Sequence, residues 1–330
     1  MALIYGIDLS QKKFDVSFRN EGNVLVHKII KNNLNGIVSF LEGLPKGVLL
    51  CAEYTGVYGE LLLFLCNCLN VPIALVGGYE IRHSLGLQKG KTDKVDASRI
   101  REYGERFGDK LTSTAYPDEE MRELKELFRL RGQLVKERKM LLTHEKTKPS
   151  MPYNSILAHQ IANNMAESLK QSINALEEEI QLIIDGNIDL STNYHLITGI
   201  IGIGQVTACE LIIKTGNFKE INTARKASSY AGVCPFPNAS GKMVKKSQVS
   251  NMADKELKTL LYMCAVVAKS RNPEYRLYYE RKKLEGKPYF LIMNNIANKL
   301  LRTIYSIINS GITYRLGHVV YDPRHNENVA

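Results

Sequence analysis

The stretch MALIYGIDLSQKKFDVSF at residues 1–18 limits the fold more than any other. An apolar run over residues 2–7 ends on Asp8, and after the polar residues 10–13 alternation resumes at Phe14, Val16 and Phe18. An apolar run bounded by polar residues reads as a buried strand, and strict alternation reads as a second one. The pair predicts two antiparallel strands joined by a tight turn, with a lone carboxylate where the first strand surfaces. The chain therefore starts by building a sheet.

Further strands are predicted at 23–29, 47–54 and 71–77, and helices at 34–43, 58–69 and 93–107. A three-strand meander followed by alternating helix and strand predicts an α/β domain over residues 1–112, a mixed sheet with helices on its faces. This order is that of the ribonuclease-H-like fold. It also begins the actin-like ATPase and sugar-kinase fold, where "GIDLS" would suit a phosphate-binding hairpin. Against the kinase reading, Asp8 lacks the following Gly-Ser/Thr, and no second glycine-rich phosphate loop occurs.

Periodicity then becomes helical. Leu127, Leu134 and Leu141 repeat every seven residues, as do Phe128, Val135 and Leu142. After the break at 148–152, Ile161, Met165, Leu169, Ile173, Leu176, Ile180 and Ile183 form a second apolar stripe. Two amphipathic helices predict a coiled-coil arm over 113–190, suited to dimerisation or to packing on its neighbours. Residues 191–330 read as mostly α, with helices at 196–215, 222–232, 254–270, 272–286 and 289–310 and an irregular tail from 311.

The net charge is +10, and residues 191–330 carry 20 basic against 9 acidic side chains. A polyanion partner or a solubilising surface accounts equally for that excess. No apolar run reaches the ~20 residues of a membrane span, and the N-terminus has no signal-peptide pattern. Six cysteines without a CxxC pair read as buried free thiols in a reducing cytoplasm. The seven histidines are scattered and show no metal-binding spacing.

Four acids stand out: Asp8 ending the first strand, Glu53 ending the fourth, and Asp93 and Asp96 three apart at the start of a helix. If the first and fourth strands are neighbours, Asp8 and Glu53 emerge side by side, and a helix across that edge brings the other two to the same point. Converging carboxylates repel unless cations neutralise them, and hard oxygen ligands suit Mg²⁺ or Mn²⁺. The plainer alternative is that Asp8 opens a turn and Asp93 caps a helix.

Two C-terminal signals matter. In "LITGIIGIGQVTACELII" (196–213), Gly202 and Gly204 suit a helix-hairpin-helix whose backbone N–H groups hold a DNA phosphate, or an ordinary helical hairpin. "YAGVCPFPNASGKMVKKS" (230–247) reads as a loop placing Ser240 near Lys242, Lys245 and Lys246. A serine among cations suits attack on a phosphodiester; Asn-Ala-Ser-Gly is otherwise a turn.

These parts, in this order, resemble the DEDD transposases of bacterial insertion sequences, the group that also contains the Piv-type DNA invertases. The resemblance rests on "YGIDLSQKKFDV", "AEYTGVYGELL" and "KTDKVDASRI", then "GIIGIGQVTACELI", "SSYAGVCPFPNASGK" and "LKTLLYMCAVVA", and covers nearly the whole chain. It implies a RuvC-like catalytic domain over 1–112 whose metal-binding acids are Asp8, Glu53, Asp93 and Asp96. It implies a transposase domain over 191–330 with Ser240 as nucleophile; Ser247 and Ser250 are alternatives. It implies DNA as partner, a non-coding bridge RNA, a homodimer or tetramer and a bacterial cytoplasmic location. The alternatives are a structure-specific nuclease resembling a Holliday-junction resolvase, which uses the acids alone, an architectural DNA-binding protein without catalysis, and a sugar kinase.

Overall fold

In the computed structural model, which describes residues 3–86, 90, 92–147, 155–240, 243–249 and 252–317, the chain divides into two units, Met1–Pro117 and Asp118–Ala330. β1 (Leu3–Leu9) pairs antiparallel with β2 (Lys13–Arg19), which pairs antiparallel with β3 (Leu25–Lys31). The other edge of β1 runs parallel to β4 (Val48–Glu53), and β5 (Ile73–Val76) closes the order β3-β2-β1-β4-β5. The expected meander and mixed sheet are present. The third strand starts two residues later than expected, because Asn23 takes a positive φ and turns the chain there.

Alternation assigns the two faces. Tyr5, Ile7 and Leu9 join Phe14, Val16, Phe18, Leu50 and Ala52 in one core. That core is closed by Ile37 and Leu41 of α1 (Leu34–Glu42) and by Leu62 and Leu65 of α2 (Glu60–Cys68). A 3-10 turn at Gly56–Gly59 precedes α2, where a longer helix was expected. On the opposite face Ile4 and Cys51 pack with Ile81 of α3 (Gly78–Ser84) and Ile100 of α4 (Asp93–Phe107). The short α3 was not anticipated; its seven residues hold one buried apolar side chain and so carry little periodicity.

α4 starts where expected. The Thr92 hydroxyl accepts from the Val95 N–H at 3.3 Å, and two acids occupy the first turn, both of which favour a helix N-terminus. Its buried face is Ala97, Ile100, Arg101 and Gly104. At Gly6 of β1, any Cβ would overlap the Ala97 carbonyl and the Arg101 backbone. Glycine therefore lets the helix backbone rest directly on the strand. The Ser17 and Ser98 hydroxyls meet at 3.2 Å across the same interface, and buried Arg101 pairs with Glu105.

The second unit begins with α5 (Glu119–Thr147) and α6 (Ile156–Gly186), which run antiparallel. Arg131 reaches Glu177 at 2.6 Å, and Arg138 Nε donates to the Ala166 carbonyl at 3.1 Å. The α6 seam is Ala166, Ile173, Ile180 and Ile184, whereas Ile161 and Met165 stay exposed. α7 (Ile188–Thr198), α8 (Gln205–Thr215), α9 (Ala224–Tyr230), α10 (Lys255–Arg271), α11 (Pro273–Leu284) and α12 (Tyr289–Ser310) follow. They surround α12, whose Ile296, Leu300, Leu301 and Ile304 are fully enclosed with Leu124, Ile184, Ile197, Leu211 and Leu261. The base of the arm thus shares a core with the C-terminal helices. Among the described residues no helix is long and apolar enough to cross a membrane.

One expectation is corrected. Residues 236–240 and 243–248 are not loop but two paired antiparallel strands, β6 (Phe236–Ser240) and β7 (Met243–Gln248), with Ser240 opposite Met243. The prolines and Ser-Gly suggested a turn throughout, but Pro237 lies at a register irregularity between Phe236 and Asn238, where a missing N–H is tolerated.

Gly6→Val should push α4 off β1 and cost about 3 kcal/mol, at the upper end for overpacking. A lowered urea midpoint for the first unit is the expected readout. Gly22→Ala is the control, since a Cβ there meets only side-chain atoms at 3.5 Å or beyond. An unchanged midpoint for Gly6→Val would contradict this packing.

Candidate active site

Asp8 falls on the α4 face of the sheet, in phase with Ile4 and Gly6. The β1–β4 register ends at Ile7 opposite Ala52, so Asp8 and Glu53 occupy the next rung. Glu53 shares the face of Cys51. α4 crosses this face with Asp93 and Asp96 in its first turn. The consequence is electrostatic: the Asp8 carboxyl is pushed up to about 6 by burial, then by the charges of Asp96, Asp93, Glu53 and Asp15. The expected adjacency of β1 and β4 sets Asp8 beside Glu53, and the charges of Glu53, Asp93 and Asp96 all act on Asp8.

Basic side chains hold the other three acids. Asp93 lies 3.0 Å from Lys13 Nζ, Asp96 lies 2.9 Å from Arg99 and Glu53 lies 3.7 Å from Arg82. The bond to Lys13 holds the Asp93 carboxyl below its usual range and raises the Lys13 ammonium. Asp8 has no cationic partner among the described residues. As a donor set, four hard carboxylates fit Mg²⁺ or Mn²⁺, and a divalent ion would offset the charge that burial makes costly at Asp8. The carboxylates are not yet in ligating positions: among the described residues no three His, Cys, Asp or Glu side chains are grouped closely enough to hold an ion.

Lys13, Asp15 and His27 were not singled out from the sequence. Asp15 faces Asp8 across the β1–β2 pair and is buried; its two oxygens meet Lys13 at 3.1 Å and His27 Nε2 at 2.7 Å. This anchored lysine is what reaches Asp93. The only signal in the sequence was an acid, Asp15, between apolar Phe14 and Val16, on the alternate face of the strand.

In the second unit, Ser240 is placed by its backbone as the last residue of β6. Lys245 and Lys246 lie on β7, as does Ser247; Lys242 and Ser250 fall outside the described residues. The stem of the hairpin is clamped. The Asp254 N–H donates to the Tyr230 carbonyl at 2.9 Å, and the Tyr230 hydroxyl donates to Asp254 Oδ2 at 3.2 Å. Asp254 also caps α10 through the Leu257 N–H and meets Lys214 of α8 at 2.9 Å. Burial raises its carboxyl, but the Leu257 N–H and Lys214 outweigh that and hold it below its usual range. Asn294 Nδ2 ties the same stem by donating to the Val233 carbonyl at 2.9 Å.

The two glycines differ. Gly202 has φ +104°, and a Cβ there would meet Ala268 at 2.8 Å, so it is needed for α10 to approach the turn. Gly204 is exposed and starts α8 with no side-chain cap.

The raised Asp8 carboxyl sets a pH test. Its folded value, about 6, exceeds the 3.8 of an unperturbed aspartate. The folded state then holds the proton more tightly, so Asp8 costs stability increasingly as pH rises through that window. Asp8→Asn should therefore raise Tm by about 4 °C at pH ~8 in EDTA, the size of shift ~1 kcal/mol produces in a domain of this length. Near pH 4 it should leave Tm unchanged. Equal melting of the two proteins at pH ~8 would contradict the burial and repulsion described.

Two family models match the chain: a DEDD transposase model of the IS110 type over residues 5–146, and the transposase IS116/IS110/IS902 family over residues 194–280. The first match takes in all four acids, the second the two glycines and the Ser240 hairpin. The pilin gene-inverting protein of Moraxella lacunata is 27% identical over 317 residues, 92% of this chain and 94% of that protein. The homologous protein of Moraxella bovis matches over the same extent, also at 27%. An uncharacterized 43.6 kDa protein of insertion element IS110 from Streptomyces coelicolor is 24% identical over 151 residues, 44% of this chain and 37% of that protein. The chain belongs to the IS110-type transposase family and is an enzyme of DNA transposition and recombination.

Proposed function

We propose that this transposase cuts and rejoins DNA with two devices: a divalent-metal site formed by Asp8, Glu53, Asp93 and Asp96, and a nucleophilic serine, Ser240. The observation that carries the first is the shared field on Asp8, raised by burial and by the other three acids. Perturbed acids of this kind are the mark of a site tuned for chemistry. A ribonuclease-H-like, RuvC-like reading of the first unit is supported by its antiparallel meander followed by parallel strands in the order β3-β2-β1-β4-β5.

Bound to the four acids, Mg²⁺ or Mn²⁺ would supply positive charge to a phosphodiester under attack. The chain's own part begins with Lys13 and Arg99 releasing Asp93 and Asp96 toward Asp8. Ser240 Oγ then attacks phosphorus: the Oγ–P bond forms, the P–O3′ bond breaks, and the serine proton passes to the leaving oxygen. The products are a phosphoserine link and a free 3′-hydroxyl. Lys242, Lys245 and Lys246 offset the phosphate charge. Gly202 and Gly204 offer the turn before α8 to a second phosphate, with exposed Gly204 the more accessible.

A bridge RNA pairing with element and target DNA would supply the sequence choice, leaving the protein mainly backbone contacts. A homodimer or tetramer would unite the acids of one copy with the serine of another. The exposed Met140, Ile156, Leu157, Ile161 and Met165 of the arm support such an assembly. Whether the joined segment is inserted or inverted depends on which ends are paired. The Moraxella relatives are named for inversion, the Streptomyces relative for an insertion element.

The test is a cleavage assay on element-junction DNA with bridge RNA and Mg²⁺, run on denaturing gels with and without protease. Wild type should give a protease-sensitive protein–DNA adduct, absent from Ser240→Ala and Asp8→Ala. Free cut ends from Ser240→Ala, with none from Asp8→Ala, would mean that the acids act alone as a nuclease.

A further inference from the structure

The excess positive charge of the C-terminal residues has a structured component on α11 and α12, outside the Ser240 hairpin. Tyr278 on α11 carries two cations over one ring: Lys299 Nζ of α12 lies 4.9 Å from the ring centroid and the Arg281 guanidinium lies 5.6 Å from it. Lys299 and Arg281 are both exposed, and neither has an acidic partner among the described residues. Their neighbour Lys282 differs, being paired with Glu285 at 2.7 Å. Arg302 follows Lys299 by three positions on α12, which puts it on the same helical face.

Two cations against one aromatic ring are each attracted to it but repel each other. Partial burial of its ammonium holds Lys299 below the usual range first, and the charges of Arg302, Arg281 and Lys282 lower it further. An anion spanning the pair would relieve that repulsion. With two cations against its ring, Tyr278 serves less as a platform for a stacked base than as a support that fixes where the charges point. A surface that orients charge without offering stacking suits phosphates of a duplex backbone.

We infer that Arg281 and Lys299, seated on Tyr278, form a phosphate-binding clamp for the backbone of duplex DNA. This rests on the reading of the chain as a DNA recombinase, which makes DNA the polyanion it must hold. The clamp is built on rigid elements, because α12 is the central helix of its unit and Tyr275, one turn before Tyr278 on α11, is buried in the same core.

The test is equilibrium binding of a fluorescein-labelled, mixed-sequence 30-bp DNA duplex to the full chain in EDTA, read by anisotropy across a salt series. Using the Ser240→Ala background removes any contribution from cleavage, so the result stands whether or not Ser240 is the nucleophile. Arg281→Gln/Lys299→Gln should weaken binding at least ~10-fold near 0.1 M salt and reduce the log–log salt slope by about 2. Tyr278→Phe should keep wild-type binding, whereas Tyr278→Leu should fall between wild type and the double variant. Lys136→Gln, on the arm and paired with Glu256, is the control and should change little. An unchanged salt slope in the double variant, no duplex binding by the parent protein, or a loss confined to an RNA duplex of the same sequence would overturn the proposal. Circular-dichroism melting matching that of the parent shows that a loss of binding is not unfolding.

Discussion

The contact between α4 and β1 at Gly6 is the constraint on which the first unit of this protein depends. A helix normally stands off a sheet by the length of two side chains, but at Gly6 there is none on the strand side. The helix backbone descends onto β1, and its first turn is carried to the end of the strand where Asp8 emerges. Alternation along β1 and β4 then puts Asp8 and Glu53 on that same face. A one-residue slip in either strand would send its carboxylate to the α1–α2 core instead. Four acids in one field are costly, and Asp8 shows the cost. An arrangement that costs stability in this way is what the proposed metal site would account for.

The basic side chains around the acids give the site a second property. Lys13 is fixed from behind by buried Asp15, which His27 also holds, so it meets Asp93 as a tethered cation. Arg99 does the same for Asp96 from within α4. Recruiting these acids to an ion requires exchanging one positive charge for another, a local change of partner and not a rearrangement of the sheet. In the second unit the same economy applies to the Ser240 hairpin. Tyr230 and Asp254 close its stem, Lys214 secures Asp254, and α12, whose inner face fills the core, supports the stem through Asn294.

Much of this was legible in the sequence because the elements concerned have strong periods. The strands that end on Asp8 and Glu53 are apolar runs bounded by polar residues, and α4 carries a Thr cap and acids at its start, so its limits were read correctly. The arm's seam was visible for the same reason. What failed to show was structure without a period. The short α3 has a single buried apolar residue, and the Ser240 hairpin was hidden by its prolines and glycine. Lys13, Asp15 and His27 escaped notice because their meaning comes from pairing across β1, β2 and β3, a relation that residue spacing does not express. The clamp on Tyr278 joins two helices through side chains twenty-one positions apart and was equally invisible.

The central claim is that the α4–β1 contact assembles Asp8, Glu53, Asp93 and Asp96 into a site for a divalent ion. Manganese binding to the full chain, followed by isothermal titration and by the loss of free Mn²⁺ signal in electron paramagnetic resonance, tests it most directly. Saturable binding by wild type, abolished in Asp8→Asn and in Asp93→Asn/Asp96→Asn while both variants stay folded, is the result this account predicts. Binding that is absent from wild type, or that persists unchanged in both variants, would contradict it.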